Sequence, residues 1–542
     1  MTQPASEQTA RPVQDPAGSR YRRSRGLASI GKGPEHVHVA EPTVVRWTAS
    51  DWIVTAIVVA LAFISRFIGL DSATDKGTPV FDEKHYVPQA WDMVESFIDP
   101  VTGGIESNPA YGLVVHPPLA KQLLAMGEVV FGYTPLGWRV MTALFSTLTV
   151  LGIMMIARRL SNSTAVAAFA GVLALCDGVL LVAGRFGMLD IFLTLFVVLA
   201  AYFMIRDHDQ MRMRMYRAFL AGQVHTSPYG PRLGFRWWRF ATGVALGAAL
   251  SVKWSGMYYM AFFGVLSVCL DWLLRHRYRV ARPFVGTLVR DVVPAFASIV
   301  IVPVLLYAWS WRAWFASETS VYRHAKVNGT IKEDSALQLL PDSLAGWFYY
   351  HKSVLEFHAS LTSSGGHSHP WDSKPWSWLV ASRPVLYFSQ TQLNCEGTTT
   401  CRRMIYLFGT PAIWWLTVPV VLWALWRLVV SRDLRFLVPL VAFAAGFIPW
   451  ILAYDRQMYF FYAVPLAPFT IVLIALTLGL IGNYTREFRV PGTKTTAPIG
   501  MTVVFTYLTL VVLAFVYWLP ILYGTTITEQ HFQDIMWLRS WK

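Results

Sequence analysis

The chain has 542 residues, 54% of them hydrophobic and only 14% charged, and its mean hydropathy is +0.42. So few charges cannot clothe so much apolar sequence in water, which excludes an ordinary soluble enzyme and points to a polytopic membrane protein. The formal net charge of +14 would suit nucleic acid only if the basic residues shared one face or one tail; they are spread among short loops, so a nucleic-acid partner is excluded as well.

Residues 1–50 are polar and basic, with Arg20, Arg22, Arg23 and Arg25 and no apolar run before Trp52. They predict a disordered cytoplasmic tail, not a cleaved signal peptide, followed by a catalytic membrane domain over 51–542. Apolar runs able to cross about 30 Å of hydrocarbon fall near 51–70, 136–157, 164–183, 187–205, 239–254, 256–274, 290–311, 409–430, 434–453, 459–482 and 499–523, giving an all-α protein with about eleven spans. Starting inside, this count puts Arg158, Arg159 and the basic loops 206–239, 275–290, 427–435 and 486–494 in the cytoplasm. The external side then receives two large loops, 71–135 and 312–408, the turn around Asp455 and the carboxy terminus.

The first external loop carries helical patterns around Val87–Phe97 and Leu119–Phe131. The second contains Trp371, Trp376 and Trp378, shows no repeat and is too short for a large extra domain. Cys395 and Cys401 lie close together in it, where an oxidising exterior favours a disulfide over two independent thiols. Cys176 and Cys269 fall within spans.

Ionisable residues crowd the external ends of the spans. Asp82 and Glu83 follow the first span; taken alone an Asp-Glu pair usually marks a solvated loop, but here it shares its membrane depth with other charges. His116-Pro117-Pro118 leads into the helix beginning at Leu119 and containing Lys121, a pattern that equally describes a rigid helix start. Arg139 opens the second span, where snorkelling is the alternative to a functional role. Arg185 and Asp190 occupy the joint of spans three and four, Lys253 that of five and six, and Asp455-Arg456 that of nine and ten. Cations aligned at one depth can hold a phosphate, and a carboxylate beside them can take a proton from a hydroxyl. Together they are the parts of a group-transfer site with a lipid-phosphate leaving group. The sequence has neither a Walker motif nor a dinucleotide fingerprint.

These motifs resemble the protein O-mannosyltransferases, polytopic glycosyltransferases of the GT-C class. Phe81-Asp82-Glu83 looks like the family's first-loop acidic motif, Val115-His116-Pro117-Pro118-Leu119-Ala120-Lys121 like its His-Pro-Pro motif, and Arg139 like its second-span arginine. Arg185 with Leu189-Asp190, and Val252-Lys253-Trp254, match further stretches, so the resemblance runs from about Trp52 onward. Eukaryotic relatives carry a β-trefoil in the central external loop; the 312–408 loop is too short for one and resembles the actinobacterial form.

The resemblance implies a polyprenyl-phosphate mannose donor, Ser/Thr acceptors on exported proteins, a plasma-membrane location and inversion from a β-linked donor to an α-linked product. Asp82 would be the general base and Glu83 would orient the acceptor or the local fold. Arg139, Lys253 and Arg185 would hold the donor phosphate, with His116, Lys121, Asp190 and Arg456 in second rank. Work beside the secretion channel is a further expectation. His367 and His369 invite a metal assignment, but two histidines in a Gly-rich loop supply too few ligands, and no obligatory metal is expected. Two rivals remain: a GT-C transferase acting on lipid A, a glycolipid or a wall polysaccharide, and a transporter. The transporter would place its charges near the bilayer midplane in repeated halves.

Overall fold

The structure is a computed structural model and describes residues 39–96, 114–395, 400–489 and 495–542. The expected tail lies outside the described residues as far as position 38. The helices in chain order are α1 (Ala49–Phe67), α2 (Glu83–Glu95), α3 (Leu119–Phe131), α4 (Pro135–Ser161), α5 (Thr164–Leu175), α6 (Gly178–Ala183), α7 (Asp190–Leu220), α8 (Trp237–Val252) and α9 (Gly256–Arg277). Helical runs Pro283–Ser310, Pro411–Val429, Leu434–Leu452, Phe460–Gly482 and Ile499–Tyr523 complete the bundle.

Each predicted apolar run carries helix, and nine helices among the described residues are long and apolar enough to cross a membrane. The two shortfalls have local causes. The 164–183 run divides where Asp177 turns out of helical geometry and caps α6, accepting hydrogen bonds from the Leu180 backbone N–H at 2.8 Å and Trp414 Nε1 at 2.7 Å. The 239–254 run yields α8, whose 16 residues extend about 24 Å at 1.5 Å per residue.

Helix starts follow capping chemistry. Thr48 and Asp51 form a reciprocal capping box on α1, and Thr134 with Pro135 opens α4. At that end of α1 the basic residues meet carboxylates. Arg158 grips Asp51 through two bonds of 2.5 and 2.9 Å, Arg236 sits between Asp207 and Asp271, and Arg275 pairs with Asp291 at 2.7 Å. These pairs are buried, so each fixes helix register more than it adds net stability.

The other end of the bundle carries the large loops. α3 and α4 pack closely there because Gly127 and Gly137 have no side chains: a Cβ on Gly127 would strike the Gly137 carbonyl, and one on Gly137 the Gly132 carbonyl. The 312–408 segment holds the helix Asp342–Ser360 and an antiparallel hairpin, β1 (Val385–Asn394) and β2 (Thr400–Leu407). A disulfide joins Cys395 to Cys401. β2 also pairs with Ile527–Thr528, so a small sheet is added to the expected all-helical fold.

Candidate active site

The loop leaving α1 is tied down by two arginines. Arg185 donates from Nη1 to the carbonyls of Ser65, Arg66 and Ile68 at 3.2, 3.1 and 2.6 Å, and from Nη2 to Gly69 at 3.0 Å. Its guanidinium lies 4.4 Å from the Tyr523 ring centroid. A cation on the last carbonyls of a helix satisfies acceptors that have no intrahelical partner and complements the helix dipole.

Arg139 takes the next stretch, donating to Leu70 O at 2.9 Å and Ala73 O at 2.8 Å and gripping Glu83 with two bonds of 2.7 Å. Glu83 accepts two more, from the Gly187 N–H at 2.7 Å and the Val80 N–H at 3.1 Å. With relative exposures of 1% and 0%, Arg139 and Glu83 form a closed structural pair.

These contacts bear on two expected roles. Arg139 and Arg185 are engaged by carbonyls and by Glu83, and neither lines the cavity described below. The hydrogen bonds of Glu83 all go to the fold: to Arg139 and to the Val80 and Gly187 N–H groups. Replacing Arg185 by Ala is therefore expected to lower the unfolding temperature of the detergent-solubilised protein while leaving the donor KM of the surviving protein within about twofold; a large rise in donor KM at unchanged stability would restore the phosphate role.

What the pair positions is Asp82. Phe81 adopts φ +50, a conformation costly for a bulky side chain, and is held by stacking on Tyr387 of β1 at 4.5 Å and edge contact with Phe461 at 6.2 Å. Asp82 follows at the start of α2 yet makes no capping bond. Among the described residues no donor is hydrogen-bonded to its carboxylate. Burial pushes it up to about 6, with Lys253 opposing the rise and Asp190 adding to it.

Beside it Lys253 Nζ donates to Asp190 Oδ1 at 2.8 Å and stands 5.4 Å from the Phe461 ring centroid. A cavity of about 210 Å³ opens there, lined by His116, Asp190, Lys253, Trp254, His358 and Arg456 among others. Arg456 Nη2 donates to His358 Nδ1 at 2.9 Å, and His358 in turn bonds the Val115 backbone, so His358 steers the guanidinium. The buried Arg456 Nε has no partner. Burial and the nearby cations hold His116 well below its usual range and His358 at about 4, leaving both rings neutral. Lys121, itself buried, donates to the His116 carbonyl at 2.9 Å and so fixes the His-Pro-Pro segment.

Of the residues singled out in the sequence, the structure thus brings together Asp82, Asp190, Lys253, His116 and Arg456, with Lys121 in support. His367 and His369 are exposed, and His369 Nδ1 accepts from the Trp371 N–H at 3.1 Å. His358 and Tyr387 were missed: each is a lone residue in the long loop with no motif around it. The arrangement offers a carboxylate able to take a proton at neutral pH beside a cationic pocket able to hold an anion.

A family model described as dolichyl-phosphate-mannose-protein mannosyltransferase matches residues 107–314, and one for the C-terminal four-transmembrane region of protein O-mannosyltransferase matches 343–541. A polyprenol-phosphate-mannose–protein mannosyltransferase of Corynebacterium glutamicum is 63% identical over 501 residues, covering 92% of this chain and 95% of the relative. The Mycobacterium tuberculosis protein of the same description is 46% identical over 492 residues, covering 91% and 92%. The Saccharomyces cerevisiae protein O-mannosyltransferase Pmt1–Pmt2 complex, solved with its sugar donor, superposes with a TM-score of 0.69 at 15% identity, covering 95% of this chain and 96% of that one, which shows a shared fold. On the strength of both family models and of relatives matched along nearly their whole length, the chain belongs to the protein O-mannosyltransferase family.

Proposed function

We propose that this chain transfers mannose from polyprenyl-phosphate mannose to Ser and Thr hydroxyls of exported proteins, with inversion at the anomeric carbon. The observation that carries the reading is Asp82, a half-buried carboxylate without a hydrogen-bond partner among the described residues, whose charge feels Lys253 and Asp190 of the cavity wall. The acceptor oxygen attacks the anomeric carbon as its proton passes to Asp82. The bond from that carbon to the phosphate oxygen breaks, and the phosphate leaves with the electron pair. Lys253 and Arg456 stabilise its charge, so no separate acid is needed.

In this reading the end of the bundle bearing the site faces outward from the plasma membrane and the amino terminus faces the cytoplasm. The ammonium of Lys253 supplies the positive charge between Asp82 and Asp190, and transfer needs no resident metal. Chelation by EDTA is accordingly expected to leave the initial rate unchanged.

A general base works only when ionised. With Asp82 raised to about 6, kcat/KM is expected to fall tenfold per pH unit below that value and to level off above it. A profile flat between pH 5 and 8 would count against Asp82 as the base.

Incubating membranes that contain the protein with labelled donor and a Ser/Thr-rich peptide tests the activity itself. Label released from the peptide by β-elimination is expected. Label confined to glycolipid or polysaccharide would favour the lipid- or wall-directed transferase, and vesicle uptake without covalent transfer would favour a transporter.

A further inference from the structure

The hairpin beside Asp82 has an open side. β1 is the edge of a sheet ordered β1, β2 and the strand Ile527–Thr528, so only one of its two sides is paired. Among the described residues no hydrogen bond from elsewhere in the chain reaches the main chain of Val385–Asn394 other than the β2 ladder. An unpaired strand edge is a template for another extended chain, and proteins generally blunt or cover such edges.

One end of this strand approaches the reacting carboxylate through the buried residues Val385, Tyr387 and Phe388. Tyr387 of β1 stacks on Phe81, the residue before Asp82, and meets Phe186 edge-on at 5.2 Å. The ladder shifts register between Leu386 and Phe388, which is where Tyr387 leaves the regular pairing to reach that contact. Beyond it β1 continues as Ser389-Gln390-Thr391-Gln392-Leu393-Asn394, exposed or half-buried and without a charge. Such a surface offers main-chain hydrogen bonds while selecting little by side-chain charge.

We propose that the outer edge of β1 receives the acceptor polypeptide as an added strand, which lays a Ser or Thr hydroxyl at Asp82. The inference rests on the reading of the chain as a protein mannosyltransferase. It adds that acceptor recognition runs through the backbone of an extended segment, so a hydroxyl within a folded helix or a paired strand is not a substrate.

The test uses the full-length protein in detergent or vesicles with saturating polyprenyl-phosphate mannose. Synthetic Thr peptides carry one backbone N-methyl group, walked outward residue by residue from the target Thr. An added strand turns alternate N–H groups toward its neighbour. Methylation at every second position is therefore expected to raise the peptide KM about five- to tenfold, the effect of losing one hydrogen bond, with smaller changes between. Equal tolerance at all positions, or a uniform loss without alternation, would overturn the proposal. Failure to modify even the unmethylated peptide would instead refute the mannosyltransferase reading. A second measurement is independent of turnover: Ser389→Cys or Thr391→Cys, both at exposed positions, is expected to form a disulfide with a cysteine-bearing acceptor peptide, in competition with the unmodified peptide. No cross-link at either position would also overturn it.

Discussion

Asp82→Asn is expected to lower mannosyl transfer by about a thousandfold while the protein inserts, purifies and melts like the parent. The loss lies in the middle of the range for removing a positioned general base. The amide matches the carboxylate in shape but cannot hold a second proton, so it strips out the chemistry alone. Stability is spared because the Asp82 carboxylate makes no cap bond to α2 and accepts no hydrogen bond among the described residues, while the bonds its backbone carbonyl accepts from the His85 and Tyr86 N–H groups survive the substitution. Removing a half-buried negative charge whose carboxylate has no hydrogen-bond partner also relieves a desolvation cost, so a slightly higher melting temperature is expected. Near-normal turnover in a correctly folded Asp82→Asn protein would refute the base assignment.

The neighbouring substitution, Glu83→Ala, is expected to fail for a different reason. It removes all four hydrogen bonds that the Glu83 carboxylate accepts and leaves the Arg139 guanidinium buried without its counter-ion. Breaking a buried ion pair from one side costs about 3–5 kcal/mol, a large share of the stability of most proteins. The expected result is a marked fall in melting temperature and in yield of folded protein, with activity lost in proportion. Two adjacent carboxylates would then give two separable defects: folded but inactive at 82, destabilised at 83. A Glu83→Ala protein that melts like the parent yet has no activity would show that Glu83 acts on substrate.

Much of this was legible before the fold. The long apolar runs announced the bundle, since twenty or so consecutive apolar residues have few other uses, and α3 was located to the residue by its amphipathic pattern after His116-Pro117-Pro118. Asp82 and Lys253 were recognisable with Arg139 and Arg185 as charges that end or follow spans at one depth, and Asp190 stood in second rank beside them. The difference between Lys253 and Arg139 was not legible. Both are cations beside a Trp at a helix end, and what separates them is the tertiary partner: Asp190 at the cavity wall for one, the carbonyls of Leu70 and Ala73 with Glu83 for the other. Arg185 was hidden likewise, because the carbonyls it caps lie more than a hundred residues earlier in the chain. β1 escaped notice because Val385–Asn394 alternates only weakly, and its burial pattern is set by packing on Phe81 and Phe186. His358 gained its place only when its helix brought it to Arg456.

In the proposed mechanism Asp82 accepts a proton and forms no bond to the sugar. The most direct measurement is the anomeric configuration, by NMR, of the mannosyl-threonine peptide made from a β-linked polyprenyl-phosphate mannose. Direct attack by the acceptor with Asp82 as base gives the α anomer. Recovery of the β anomer would mean two successive inversions through a mannosyl-enzyme intermediate, and would contradict the role assigned to Asp82.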